Sequence, residues 1–433
     1  MSRVNRREFL LRLSAATAAL TLGRRSQASG PFTESGAASE SHGGTAAAPD
    51  SLTHDDAARS AVALIAAAGD TTLGANLQAH YDDRASSGIS PELLQSLYFS
   101  GVKPVLDWAD LAMVNLECPF TDRGKPLPKN FNFRARPELV EILKEGSVDA
   151  VTLANNHLMD YGDVGVRDTV SALDHAGILH FGAGKNLGEA RRALTVDRAG
   201  VRLGFLGYYF QDARDMREPR EVFATKHDAG VAGCYTDLGC MRKMLEHDVR
   251  HLAPDVDAAI PFFHWGHEGS TELRDYQIDL AHRAIDLGCR AVLGAHPHRF
   301  QAVEVYRGAP IFYSLGNFVF GGNKDPQDKL SAIARLRVPK SGPVDADLVP
   351  IQITRWPDAP FQPFPLEGDD KRAALVRLAG VSLGVAEMLP QLAEFADEAR
   401  AMQAAAASDS TAAQRRPMPP DSAYADSTLH RPH

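Results

Sequence analysis

Residues Val151 to Gly162 read V-T-L-A-N-N-H-L-M-D-Y-G. Asp149 to Leu153 is a short apolar run bounded by polar residues, which predicts a buried strand. Asn155, Asn156 and His157 follow at once, and from Val164 onward Val166, Val170, Leu173 and Ala176 recur at helical spacing. Two amides and an imidazole therefore occupy a strand-to-helix turn, where open α/β sheets place their ligand sites. A neutral imidazole nitrogen and an amide oxygen can both ligate a divalent metal. On its own the stretch is equally satisfied by a helix-capping Asn pair beside a surface histidine.

Outward from this turn, the same arrangement repeats. Ala61 to Ala68 reads as a strand ending in Gly69-Asp70, Asp110 to Leu116 as one ending in Glu117, and Ala258 to Phe263 as one ending at His264. Arg290 to Gly294 leads into His296, Leu194 to Tyr208 reads as a hairpin turning at Ala199-Gly200, and Gln301 to Tyr313 as another. Alternating βα units followed by hairpins predict an α/β sandwich and not a single Rossmann sheet. Asp70, Glu117, Asn156-His157, His264 and His296-x-His298 would then converge on one edge of the sheets. Each has a plain alternative taken singly: a Gly-Asp turn, a buried paired acid, a satisfied core histidine beside Trp265. Gly294-Ala295-His296-Pro297-His298 is the sharpest piece, because core packing rarely produces two histidines two apart around a proline. Carboxylates, an amide and imidazoles together suit one or two divalent cations (Mn, Fe or Zn). Two metals about 3.5–4 Å apart can clamp and activate a bridging water.

The chain has 433 residues, 44% hydrophobic and 23% charged, the balance of a globular protein. A net charge of -9 argues against nucleic acid as the main partner. No run of eighteen uncharged apolar residues suggests a spanning helix. The N-terminus carries Arg6-Arg7-Glu8-Phe9-Leu10, a modest apolar stretch from Leu13 to Leu22, and Ser26-Gln27-Ala28. This reads as a twin-arginine signal over residues 1–28, and so as export to a periplasmic or extracellular location. Residues 29–60 read as a disordered linker, 61–370 as the globular domain, 371–402 as a helical segment and 403–433 as a disordered tail. Cys234 and Cys240 could form a local bridge; buried free thiols fit equally well.

The motifs Gly69-Asp70-Thr71-Thr72-Leu73, Asn115-Leu116-Glu117, Ala154-Asn155-Asn156-His157, His264-Trp265-Gly266, Gly294-Ala295-His296-Pro297-His298 and Tyr313-Ser314-Leu315-Gly316-Asn317-Phe318 resemble, in order, those of the CapA family. These capsule or poly-γ-glutamate biosynthesis proteins are related to calcineurin-like metallophosphoesterases. The resemblance spans residues 62 to 325 and implies a four-layer α/β/β/α sandwich with a metal centre at its strand ends. It implies Asp70 and Glu117 as acidic ligands, with Asn156, His264 and His296 ligating further and His298 closing the site. It implies His157 as a proton donor or an outer partner of the metal. Thr72 stands where the phosphoesterases' Asp-x-His has its histidine, and Glu117 replaces their bridging aspartate.

Lys125, Lys129, Arg134 and Arg136 cluster after Glu117. Lys129 and Arg134 are candidates for holding an anionic polymer or phosphoester, unless the loop is simply a solvated basic one. Two functional readings stand: a hydrolase or transferase using a metal-activated water, or a non-catalytic accessory to membrane polymer-synthesis proteins. A general extracytoplasmic phosphoesterase is a variant of the first.

Overall fold

A computed structural model describes residues 61–414. The export signal and linker expected before residue 61 lie outside the described residues. In chain order the strands are β1 (Val62–Thr72), β2 (Leu111–Leu116), β3 (Ala150–Thr152), β4 (Leu179–Phe181), β5 (Ala183–Gly184), β6 (Leu194–Arg198), β7 (Val201–Phe210) and β8 (Gly230–Val231). They continue as β9 (Ala258–Trp265), β10 (Leu293–Ala295), β11 (Val303–Tyr306), β12 (Ala309–Phe312), β13 (Asn317–Phe320), β14 (Leu330–Pro339), β15 (Asp345–Gln352) and β16 (Phe364–Pro365). One sheet runs β16-β15-β14-β1-β2-β3-β4, with β13 also pairing β1; a second runs β10-β9-β7-β6.

Alternation along the central strands stacks these sheets. In β1, Ala66 and Ala68 join the core made with helices Ala75–Ser86, Val140–Glu145 and Gly162–Ala176, while Ala63, Ile65 and Ala67 face the second sheet. In β9, Ala258, Ile260 and Phe262 meet the first sheet, while Ala259, Phe263 and Trp265 pack on helices Leu238–Leu252 and Asp275–Asp286. Strands buried on both faces read as continuous apolar runs. The result is helix, sheet, sheet, helix: the α/β/β/α sandwich.

Turn chemistry follows the sequence. Ala199 and Gly200 both have positive φ (47° and 79°), the geometry of a two-residue hairpin turn between β6 and β7. Helix Gly162–Ala176 ends at Gly177 in the left-handed conformation, whose N–H reaches the Asp174 carbonyl. Cys234 and Cys240 are joined, whereas Cys118 and Cys289 are buried free thiols.

One C-terminal boundary differs from expectation. Helix Gly368–Val381 and the segment after it bury Leu375, Val376, Leu378, Leu392 and Ala399 in the same core as both sheets. Residues 371–402 are largely helical, as the sequence suggests, and pack on the main body. The last helix, Ala396–Gln414, runs past residue 403, where an unstructured tail was expected. Alanines 404–407 carry it, because alanine has the highest helix propensity. Among the described residues no helix is long and apolar enough to cross a membrane.

Candidate metal centre

Register brings the site residues level. Asp70 pairs with Asn317 on one side and Asn115 on the other, both in parallel ladders, so three polar residues cross the first sheet in a row. In the second sheet His264 is level with Ala295 and with Tyr209. Two glycines permit this closeness. A Cβ on Gly69 would lie 1.8 Å from the Gly316 carbonyl oxygen, and one on Gly294 would lie 2.2 Å from that of Tyr313.

The turn after β3 divides its labour. Asn155 is structural: its Oδ1 accepts from the N–H of His157 (3.1 Å) and Leu158 (3.0 Å), an Asx-type turn. Its Nδ2 donates to Asn115 Oδ1 and to the Leu116 carbonyl. Asn156 Oδ1 then reaches His264 Nε2 at 2.8 Å, while His157 Nδ1 lies 2.8 Å from Asp160 Oδ2. His296 and His298 both have positive φ (102° and 54°), a costly conformation for residues with a Cβ and one that clusters at functional sites.

Two donor groups result. In the enclosed group, His264 Nε2 lies 2.8 Å from Asn156 Oδ1, 2.9 Å from His296 Nδ1 and 3.3 Å from Glu117 Oε1. In the acidic group, His298 Nδ1 lies 3.2 Å from Asp70 Oδ2 and 3.9 Å from Glu117 Oε2. In each of the triads Glu117–His264–His296 and Asp70–Glu117–His298 the ligand atoms lie within 4.8 Å of one another. Glu117 belongs to both.

These residues fit a divalent cation. Both Glu117 oxygens are buried without a hydrogen-bond partner, a costly state for a carboxylate unless a cation meets it. One ring nitrogen cannot satisfy an amide oxygen, a second imidazole and a carboxylate together, whereas a cation among them can. Burial, reinforced by neighbouring Asp70, holds the Glu117 carboxyl well above the usual carboxylate range. Burial, then the neighbouring His296, holds His264 well below the usual imidazole range, so its ring keeps a lone pair. Burial opposes charge on His298 too, but Glu117 and then Asp70 overcome it and raise that ring to about 10. The acidic group draws positive charge.

Comparison with known proteins gives the family. Residues 64–322 match the model of the bacterial capsule synthesis protein PGA_cap. The chain belongs to this capsule synthesis family. It is 32% identical over 259 residues to the capsule biosynthesis protein CapA of Bacillus anthracis, covering 59% of this chain and 61% of that protein. It is 30% identical over 268 residues to the PGA biosynthesis protein CapA of Bacillus subtilis, covering 61% and 67%. It is 29% identical over 257 residues to the "Probable polyglutamine synthesis accessory protein MT0602" of Mycobacterium tuberculosis, covering 57% and 67%. The match thus spans about six tenths of the length of the first of these.

The Thr72 hydroxyl donates to the Glu117 carbonyl at 3.1 Å and pins that backbone. Asn317 orients His298 Nδ1 at 2.9 Å. Sequence reasoning gave no role to four supporting residues. Asn115 Nδ2 donates to Asp70 Oδ1 (2.8 Å) and lies 3.2 Å from His264 Nδ1. Gln211 Nε2 meets His296 Nε2 at 2.6 Å, Glu218 Oε1 accepts from Asn156 Nδ2 at 3.1 Å, and Asp160 Oδ2 lies 2.8 Å from His157 Nδ1. Gln211 could have been found, since it directly follows Phe210, the last residue of β7. One reading needs correction. Lys129 does not face a substrate: its side chain is 5% exposed and its ammonium meets Asp160 and Glu218. Arg136 is likewise taken, by Asp82 and Glu138. Arg134 is exposed and rests over the Tyr161 ring at 4.6 Å.

Proposed function

We propose that this chain is an exported hydrolase or transferase, dependent on a divalent metal, that acts on an ester, phosphoester or amide of an anionic exopolymer. The observation that carries this reading is Glu117, a buried carboxylate whose two oxygens have no hydrogen-bond partner and lie between two groups of donors. Asn156, His264, His296 and Glu117 would hold one cation, and Asp70, Glu117 and His298 a second. A cation there supplies Lewis-acid polarisation and lowers the pKa of a coordinated water. His157 donates its Nδ1 proton to Asp160 Oδ2, which accepts only, leaving Nε2 to exchange a proton with a leaving group. Phe133 packs against the His157 ring at a centroid distance of 4.4 Å, its plane tilted by 37°, and limits the ring's motion. Burial pushes the Cys118 thiol up to about 12, so it offers no thiolate nucleophile. The Cys234–Cys240 bridge supports export, because disulfides persist in oxidising compartments.

Elemental analysis of the folded protein, with a screen of phosphoester and γ-glutamyl substrates, tests the reading. His157→Ala is expected to keep its metal and lose turnover. A second reading, a non-catalytic accessory to a polymer-synthesis complex, is favoured by the mycobacterial relative, described as a probable polyglutamine synthesis accessory protein. It prevails if metal-loaded protein hydrolyses nothing and His157→Ala still supports polymer formation.

A further inference from the structure

Lys129 lies in the long loop between β2 and helix Val140–Glu145, yet its ammonium ends inside the protein. Nζ donates to the Asn156 carbonyl oxygen at 2.7 Å, lies 2.6 Å from Asp160 Oδ1 and 2.8 Å from Glu218 Oε2, and is 3.5 Å from His157 Nδ1. Its two carboxylate partners each hold one working part of the centre. Glu218 takes the Nδ2 of Asn156, and because a carboxylate only accepts, the amide is turned so that Oδ1 faces His264. Asp160 takes the Nδ1 of His157 and the N–H of Phe133, fixing both the imidazole and the residue whose ring packs tilted against it.

We propose that Lys129 is a positioning residue that sets Asn156 as a ligand and His157 as a proton carrier at once, acting through Glu218 and Asp160. It touches neither metal nor substrate. Without its charge, two buried carboxylates face each other with no cation between them, and the amide and imidazole lose their fixed acceptors. The loop after β7 is drawn in by the same contact, since Gln211 holds His296 while Glu218 holds Asn156. A purely structural role would also bury a lysine here. It would not place one ammonium against the partners of two different functional side chains.

The proposal rests on the metal-centre reading, so its test separates the two. Calorimetric titration of the purified full chain with Mn²⁺ compares wild type, Lys129→Met, Glu218→Gln and the double variant. Circular dichroism confirms that each is folded. Each single variant is expected to bind Mn²⁺ about 10- to 100-fold more weakly, the usual cost of losing an outer partner of a ligand. The double variant should lose no more than the worse single one, because the two residues act through one chain of contacts. If Lys129→Met does not fold, Glu218→Gln carries the test alone. Folded variants that melt lower but bind Mn²⁺ as tightly as wild type overturn the proposal and leave the metal centre standing. Wild-type protein that takes up no Mn²⁺ ends both.

Discussion

His296 and His298 stand two residues apart on one strained turn and end in opposite chemistries. His296 is closed in: Gln211 holds its Nε2, His264 its Nδ1, and burial followed by the nearby His298 keeps it well below the usual imidazole range. The His298 side chain is 19% exposed, edged by Phe320, and set between Asp70 and Glu117, which raise it to about 10. Partners delivered by other strands make this difference, and nothing in Gly-Ala-His-Pro-His itself specifies it. The enclosed group presents neutral nitrogen and amide donors, while the acidic group presents carboxylates that attract a positive charge. Glu117 is the hinge between them, and variants there should break the comparison altogether.

Glu117→Gln is expected to have the largest effect, emptying both groups of metal by elemental analysis. Stability should move oppositely in the two states. The metal-free variant should melt higher than metal-free wild type, because a buried carboxylate without a hydrogen-bond partner costs more than the roughly 1–3 kcal/mol of a neutral group such as an amide. Metal should stabilise wild type and leave the variant's melting temperature unchanged. Metal binding by the variant at wild-type strength would show that Glu117 does not join the two groups.

Next in size are variants that separate the groups. His264→Ala removes the nitrogen around which Asn156, His296 and Glu117 gather, so Mn²⁺ affinity at the enclosed group should fall more than the 10–100-fold typical of outer partners. His298→Ala should spare that group and weaken only the acidic one, seen as loss of one of two binding phases in calorimetry. Equal damage from both variants would mean that the two groups act as a single site.

The strand ends were legible in the sequence because buried parallel strands are apolar throughout and stop abruptly at a polar residue. Asp70, Glu117, Asn156, His264 and His296 all announce themselves in that way. The supporting residues were not legible. Asn115 lies inside β2, two residues before Glu117, and its role depends on a register with β1 that no local pattern encodes. Glu218 lies in an irregular loop. Lys129 misled for the same reason: a lysine in a polar loop reads as solvated, and only the tertiary fold carries its ammonium inward to Asp160 and Glu218. At the C-terminus, alanine and polar composition read as a tail, yet helix propensity extends Ala396–Gln414 beyond the packed part of the chain.

Outer partners should sharpen the contrast at a smaller scale. Gln211→Ala removes the contact to His296 and should weaken the enclosed group about 10-fold, while Asn317→Ala should act about equally on the acidic one. Each should leave the other group's affinity unchanged in the same titration. An effect of either variant on both groups would place the coupling in the backbone and not in Glu117.

The smallest effect is expected at Arg134, which belongs to neither group. It follows Phe133, the ring packed tilted against His157, and its guanidinium is exposed over Tyr161. Its stacking contributes about 0.5–1 kcal/mol at an exposed site, so Arg134→Ala should lower the melting temperature by only a few degrees. Metal content should not change, because the side chain contacts no ligand in either group. If an anionic substrate passes this edge, losing one exposed charge worth up to about 1 kcal/mol raises KM about fivefold at low salt and leaves kcat alone. That increase should vanish as salt is added, since exposed charges are screened beyond about 10 Å at 0.1 M. A KM that stays constant at every ionic strength would assign Arg134 to the Tyr161 stack alone and place the substrate's path on the His298 side of the centre.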